Sequence, residues 1–513
     1  MVSRRRSLLK VGAATLALTV ASMQLLHCGG QSLSARDGGN ENDATVEAGS
    51  IDDGSAPNCI CLGDASGTVP TCDGAVGWQC RVDTSCSSGS PTTLTGKVFD
   101  PAGANPLYNA VVFIPNDPAA LPAINPGTNA CTTCDVSIGP YVVAAATDAS
   151  GTFTLQGVPT GVDVPVTVQI GKWRRTVAVN ITKDCGSNSV TDGVLRLPRK
   201  KSEGDMPQMA LLTGGCDDLG CFLTNVGIDP VEFSAPHGGG RVDVYQGLGT
   251  TGNGAGPSVG VAGDCTSSAC PLWASKQSLE SYDTVLLSCE CGENNQTKPP
   301  AAMQALHDWL DEGGYVFASH FQYTWFKNNP QTDFQNVATW LGPSAATGSG
   351  AYDVDTIAEG QGFGDWLGVV GALDGAGSPP ALDLANVATS VSTVNGPTTQ
   401  WIYDPNTTPN NTKYLSFETP VGGTPPPPPS PCNETACVSK KFCGKAVFAD
   451  LDVSSNTPGD AGAVPEGCPK QGLTPQQKAL EFLFFDEVAC VTENCPPPPP
   501  PPFPQAPCDA GGD

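Results

Sequence analysis

His320 is the residue whose type and position best suit it for chemistry. It follows Tyr315-Val-Phe-Ala-Ser319, a short apolar run that reads as a buried strand behind the helix-stopping pair Gly313-Gly314. An imidazole titrates near neutrality, and at a strand exit it would meet any ligand the sheet binds. Three other sets stand at the exits of predicted strands. Asp450 and Asp452 follow Lys445 to Ala449 and could orient His320 or hold a cation, although strand-end carboxylates are ordinarily just solvated. Cys289-Glu290-Cys291 follows Tyr282 to Leu287, with Glu290 a candidate polar partner of His320. Closely spaced cysteines in an exported chain form disulfides more readily than they act as nucleophiles. Thr213-Gly214-Gly215 follows Met209 to Leu212 in the manner of an anion cradle, but no Lys-Ser/Thr comes after it and Asp217-Asp218 would repel phosphate. His307 and His237 read as incidental. Tyr323, Trp325 and Phe326 would line a carbohydrate or peptide cleft or, more simply, pack.

The elements that must position these groups begin at Met209, where strand, helix and Gly-Gly signals repeat in β–α–β order. Strands are predicted at 209–212, 282–287, 315–319, 413–418 and 445–449, with helices over 218–226, around Met303, Leu306 and Leu310, and over 475–488 behind the capping box Thr474-Pro475-Gln476-Gln477. Residues 205–495 therefore read as an α/β domain with a mainly parallel sheet, a looser insertion at about 344–410 and a Pro-rich loop at 424–431. Before it, residues 93–200 read as an all-β sandwich. Val164, Val166, Val168 and Ile170 alternate on one face, and Val177, Val179 and Ile181 repeat the pattern.

The chain is thus multidomain and disulfide-rich. Residues 29–57 are acidic and lack large apolar side chains, which makes them a disordered tether. Residues 58–92 are Cys-rich and suggest a small stapled knot, and residues 496–513 are a Pro-rich tail. Twenty-two cysteines include four pairs at the spacing C-x4-C: Cys216 with Cys221, Cys265 with Cys270, Cys432 with Cys437, and Cys490 with Cys495. These read as local disulfide staples rather than metal ligands, because histidine is scarce. With Cys28 set aside the number of cysteines is odd. No cofactor and no metal is expected. A net charge of -26 argues against nucleic acid.

Residues 1–28 resemble a bacterial twin-arginine and lipoprotein signal: Arg5-Arg6-Ser7-Leu8-Leu9-Lys10, an uncharged run from Val11 to Leu26 too short to span a bilayer, then His27-Cys28-Gly29. His27 departs from the usual small residue. The resemblance implies lipidation of Cys28, export, and attachment to the outer membrane.

The sandwich resembles the carboxypeptidase regulatory-like, transthyretin-like family through Leu94-Thr-Gly96-Lys-Val98-Phe-Asp100, Asn109-Ala-Val111-Val-Phe113, Thr147-Asp148-Ala-Ser-Gly151-Thr-Phe153 and Val158-Pro159-Thr-Gly161, with the loop of Cys131 and Cys134 as an insertion. That family implies a non-catalytic spacer. The α/β part resembles the class I glutamine amidotransferase-like superfamily, in its trehalose-utilisation-protein-like branch, through Tyr282-Asp283, Asp311-Glu312-Gly313-Gly314, His320 and Cys443-Gly444-Lys-Ala-Val-Phe448. Glutamine hydrolysis would need a cysteine in the elbow where Ala318-Ser319-His320-Phe321-Gln322 stands, and Asp450-Leu-Asp452 replaces a second histidine. A membrane-tethered binding or structural lipoprotein is therefore expected, meeting an envelope protein or carbohydrate. The alternative is a hydrolase or sugar-modifying enzyme using His320 with Asp450 or Asp452.

Mass spectrometry of the mature N-terminus is expected to find lipid on Cys28. An unmodified peptide spanning 24–32 from the exported protein would overturn this.

Overall fold

The alternation that marks the sandwich in the sequence becomes two small sheets. In the computed structural model, which describes residues 71–72, 75–86, 89–127, 138–250, 258–259, 263–355, 360–375, 377–422, 443–454 and 464–486, the strand Thr93–Lys97 pairs with Thr152–Gln156 and Ser187–Ser189. The second sheet runs Tyr141–Ala146, Val111–Pro115, Gly161–Ile170, Trp173–Ile181, antiparallel throughout. Leu94, Phe153 and Leu155 of one sheet and Val112, Val164, Val166 and Val168 of the other share one core. Gly161–Ile170 is covered on both faces from Val164 onward, not half-buried as the alternation suggests, because Thr167 and Gln169 are buried too.

Part of the Cys-rich segment, including Cys59 and Cys61, lies outside the described residues. Trp78 docks on the sandwich, its amide donating to the Asn116 carbonyl at 2.9 Å, and Cys86 is bonded to Cys185 at the sandwich's far end. Too few apolar side chains surround Trp78 locally, so it borrows a core.

The second large element is a twelve-stranded sheet. Phe233–Ser234, Val242–Gln246, Met209–Leu212, Thr284–Leu287, Tyr315–Ser319 and Gly444–Ala449 lie side by side and parallel, with Gly263–Asp264 added beside Val242–Gln246. Beyond Gly444–Ala449 the sheet continues antiparallel through Asn411–Thr419, Thr399–Asp404, Gly348–Val354, Ala381–Val387 and Leu373–Asp374. The expected mainly parallel sheet is thus corrected to a mixed one in a mostly β molecule. Its physical reason lies in the segment expected to be a loose insertion. Within it Leu373–Asp374 joins Ala381–Val387, and Thr399–Asp404 joins Asn411–Thr419, through short connections that suit antiparallel neighbours, whereas the strands before it are joined by helices such as Pro300–Leu310.

The last helix, Pro475–Asp486, closes the molecule. It starts at the capping box read from the sequence: Gln477 N donates to Thr474 Oγ1 at 3.3 Å and Thr474 N to Gln477 Oε1 at 3.1 Å. Phe484 meets Trp173 of the sandwich, Phe222 of the helix Leu219–Asn225 and Phe317 of the central sheet, while Phe482 packs on Tyr108, Trp366 and Trp401. One continuous core therefore joins sandwich and sheet. No described helix is long and apolar enough to cross a membrane.

Disulfides hold the frame, but not in the expected pairs. Cys265 is bonded to Cys270 as the spacing suggests, whereas Cys216 joins Cys291 and Cys221 joins Cys468. Cys216 lies in the turn leaving Met209–Leu212 and faces the neighbouring strand's exit. Cys221 is already inside a helix, so the two cannot turn toward one another. The remaining two expected pairs, Cys432 with Cys437 and Cys490 with Cys495, lie outside the described residues. So do Cys28, the loop of Cys131 and Cys134, the tether and both proline runs.

Phe484→Ala removes the ring that touches all three layers and should cost about 3–5 kcal/mol. Denaturant unfolding measures it; a loss below about 1 kcal/mol would show that the layers do not depend on this contact.

Candidate functional site

Three adjacent parallel strands end in register, Leu287 opposite Ala318 and Ser319 opposite Ala449. The segments leaving these ends therefore converge. Gly214 permits the close approach of the neighbouring Met209–Leu212 exit: a Cβ there would lie 2.2 Å from the Cys289 carbonyl oxygen. The Thr213-Gly214-Gly215 turn thus serves backbone packing.

His320 leaves its strand in the left-handed region, with φ 43°, and opens the short helical turn His320–Tyr323. Such a φ is uncommon for a residue with a side chain, though histidine is among those that tolerate it. It directs the ring into the molecule, where only 2% of the residue is exposed. The ring therefore does not face an open cleft. Its Nδ1 lies 3.0 Å from Asp452 Oδ1 and 3.4 Å from Cys289 Sγ, and its Nε2 lies 2.8 Å from the Ser344 carbonyl oxygen.

Electrostatics follow from this enclosure. Burial alone would lower the His320 pKa, but the hydrogen bond and charge of Asp452, helped by the Ser344 carbonyl and the charge of Asp450, raise it above the ordinary histidine value. For Cys289 burial acts the other way, and with the charges of Asp452 and Asp217 it pushes the thiol well up. A buried, protonated thiol is a poor nucleophile. The relay of a cysteine hydrolase also needs the thiol on one ring nitrogen and the orienting carboxylate on the other. Here both address Nδ1.

The other predicted site residues are placed elsewhere. Glu290 makes a fully buried ion pair with Lys298 at 2.6 Å, accepts from the Leu248 amide at 2.8 Å and receives Gln322 Nε2 at 3.3 Å. It braces three loops. Asp450 accepts from the amides of Ser390 at 2.7 Å and Val391 at 3.3 Å, with Lys413 Nζ at 4.0 Å, and so pins the antiparallel extension. Tyr323, Trp325 and Phe326 are buried and pack, Trp325 against Trp273, rather than lining a cleft. His307 bonds to Asp333 on a neighbouring short helix at 3.1 Å, and His237 lies largely exposed.

Two contributors are not read from the sequence in these roles. Cys289, expected in a disulfide, is a free buried thiol. The odd number of cysteines is the only trace of this. Asp217 accepts from the amides of Val453 at 3.0 Å and Ser454 at 2.7 Å, tying the first strand's exit to the loop that carries Asp452. Burial, with the charge of Asp452, raises its pKa to about 6, and burial raises that of the helix-capping Asp218 to about 7.

No family model and no curated protein matches this chain. Among solved structures, a cytoplasmic protein from Salmonella typhimurium aligns over 54% of this chain and 98% of its own at 11% identity, with a TM-score of 0.27. A cohesin–X-dockerin complex from Acetivibrio cellulolyticus aligns over 28% of this chain and 75% of that one at 14% identity, with a TM-score of 0.14. Likenesses this loose carry no argument about function.

The buried acids fix a pH dependence. Asp217 and Asp218 have folded values above their unfolded 3.8, so the folded state binds more protons between about pH 4 and 7 and loses stability as pH rises through that window. The raised His320 and His307 act in the same direction, stabilising below the unfolded histidine value and ceasing to do so as pH passes their folded values. Thermal unfolding is expected at a higher temperature at pH 5 than at pH 8. Asp218→Asn, which keeps a capping oxygen, should flatten the difference. An equal or higher melting temperature at pH 8 would contradict the placement of these groups.

Proposed function

We propose that this chain is an exported, membrane-tethered lipoprotein with a binding or structural role at the cell envelope. In this reading a carboxypeptidase regulatory-like sandwich serves as a spacer, fused to a degenerate amidotransferase-like α/β domain. The observation that carries the non-enzymatic role is the commitment of both His320 ring nitrogens, Nδ1 to Asp452 and Nε2 to the Ser344 carbonyl, inside a buried cluster. Such an imidazole has no free lone pair with which to take a proton from Cys289 or from water. Disulfides between distant segments support an oxidising compartment. The Arg5-Arg6 head and the Cys28 context support export and lipid attachment. The expected partners are the membrane, through the lipid, and an envelope protein or carbohydrate.

The hydrolase reading draws on the convergence of Cys289, His320 and Asp452 at the strand ends, and it is separable by experiment. Cys28→Ser is expected to move the exported protein from the membrane fraction to the soluble one, and the purified protein should hydrolyse neither glutamine, ester nor glycoside substrates. Retention of Cys28→Ser in the membrane fraction would remove the lipid anchor. Hydrolysis abolished by His320→Ala would replace the structural role with a catalytic one.

A further inference from the structure

We propose that Cys289, His320 and Asp452 form a binding site for a divalent cation of the zinc type, ligated through Sγ, Nδ1 and a carboxylate oxygen. The three ligand atoms lie within 4.8 Å of one another and all three residues are buried. Zinc bonds of about 2.0 Å to nitrogen and oxygen and about 2.3 Å to sulfur set tetrahedral edges of roughly 3.3–3.6 Å between ligand atoms. The observed 3.0 Å from Nδ1 to the carboxylate and 3.4 Å from Nδ1 to sulfur need only a small opening to reach them.

The surroundings of the imidazole are those of a metal ligand. With Nε2–H donating to the Ser344 carbonyl at 2.8 Å, the ring orientation is fixed, and Nδ1, whose proton is shared with Asp452, faces Cys289 and Asp452 and becomes the ligating nitrogen once that proton leaves. This outer hydrogen bond from Nε2 is what a ligating histidine requires. Charge also balances, since one thiolate and one carboxylate neutralise a dication in a space where net charge is costly. The mixed sulfur, nitrogen and oxygen set favours zinc or a similar transition metal over magnesium or calcium. All three ligands ride on the ends of adjacent, paired strands, so little ordering is left to be done on binding.

Cysteine usage points the same way. Cys216 and Cys291 are bonded to each other, and Cys289, two residues from Cys291, remains a thiol. Two other clusters, Asp83 with Cys86 and Cys185, and Asp218 with Cys221 and Cys468, have comparable spacing, but their cysteines are spent in disulfides and offer no thiolate. Binding would exchange protons for metal. The thiol proton leaves as the metal–sulfur bond forms, and the proton shared between His320 and Asp452 leaves as the bonds to nitrogen and oxygen form.

The test uses the full exported chain, stripped with chelator and reloaded with zinc or cobalt(II) alone. About one metal ion per chain is expected, and the cobalt form should show a thiolate-to-metal charge-transfer band in the near ultraviolet. Cys289→Ser, His320→Gln and Asp452→Asn should each lose the stoichiometric ion, while exposed His237→Ala keeps it. Because a buried variant can fail to fold, the wild-type cobalt spectrum decides independently. A folded wild-type chain that takes up no metal, or a cobalt spectrum without the thiolate band, overturns the proposal. The site does not rest on the envelope reading: hydrolysis by the zinc-loaded chain would overturn the non-enzymatic role and leave the metal site standing.

Discussion

Charge buried at the carboxyl ends of the parallel strands has to be neutralised inside the molecule, and the surrounding loops are arranged around that requirement. An unpaired buried carboxylate or ammonium costs several kcal/mol. The Lys298 ammonium and the Glu290 carboxylate are fully enclosed and answer one another, and the residual capacity of Glu290 is met by an amide and by Gln322. Asp217 and Asp450 are met chiefly by backbone amides of loops that would otherwise have no reason to approach the sheet. His320 and Asp452 solve the same problem by meeting each other. The strand ends are thus a rigid polar layer beneath loops, not a row of free catalytic groups.

How much of this was legible depends on how local each signal is. Tyr315–Ser319, the helix before it and the capping box of Pro475–Asp486 are written in neighbouring residues, and they stand close to where the sequence places them. His320 was readable as a strand-exit residue, and Asp452 as a carboxylate at the next exit. Their separation could not be read, because it depends on the register between strands far apart in the chain. The pairings of Cys216 and Cys221 escape the sequence for the same reason: a repeated short spacing looks like a staple until a helix intervenes. Of the antiparallel extension only the strand around Lys413 to Glu418 is readable, because Gly348, Gly350 and Asn386 dilute the alternation of Gly348–Val354 and Ala381–Val387.

The sandwich and the sheet are bound by more than their shared aromatic core. Tyr108 lies over Phe482, Trp366 donates to the Pro106 carbonyl at 2.7 Å, and Asn105 donates to the buried Glu481 at 2.6 Å. Burial, with the neighbouring charge of Asp100, raises Glu481 strongly, and burial raises Asp100 to about 6. An apolar seam with a few satisfied polar contacts fixes relative orientation, which an apolar seam alone does loosely. A sandwich attached in this way is held rigidly against the sheet.

The cross-links also divide the backbone into closed circuits. One bond encloses residues 86–185, and those between 216 and 291 and between 221 and 468 overlap to enclose residues 216–468, which carry every strand of the sheet except Met209–Leu212. A single backbone cut inside either circuit leaves the pieces covalently joined. Only the stretch 186–215 runs from one ring to the other as a single strand of chain, so among the described links it alone, if severed, leaves sandwich and sheet joined by non-covalent contacts.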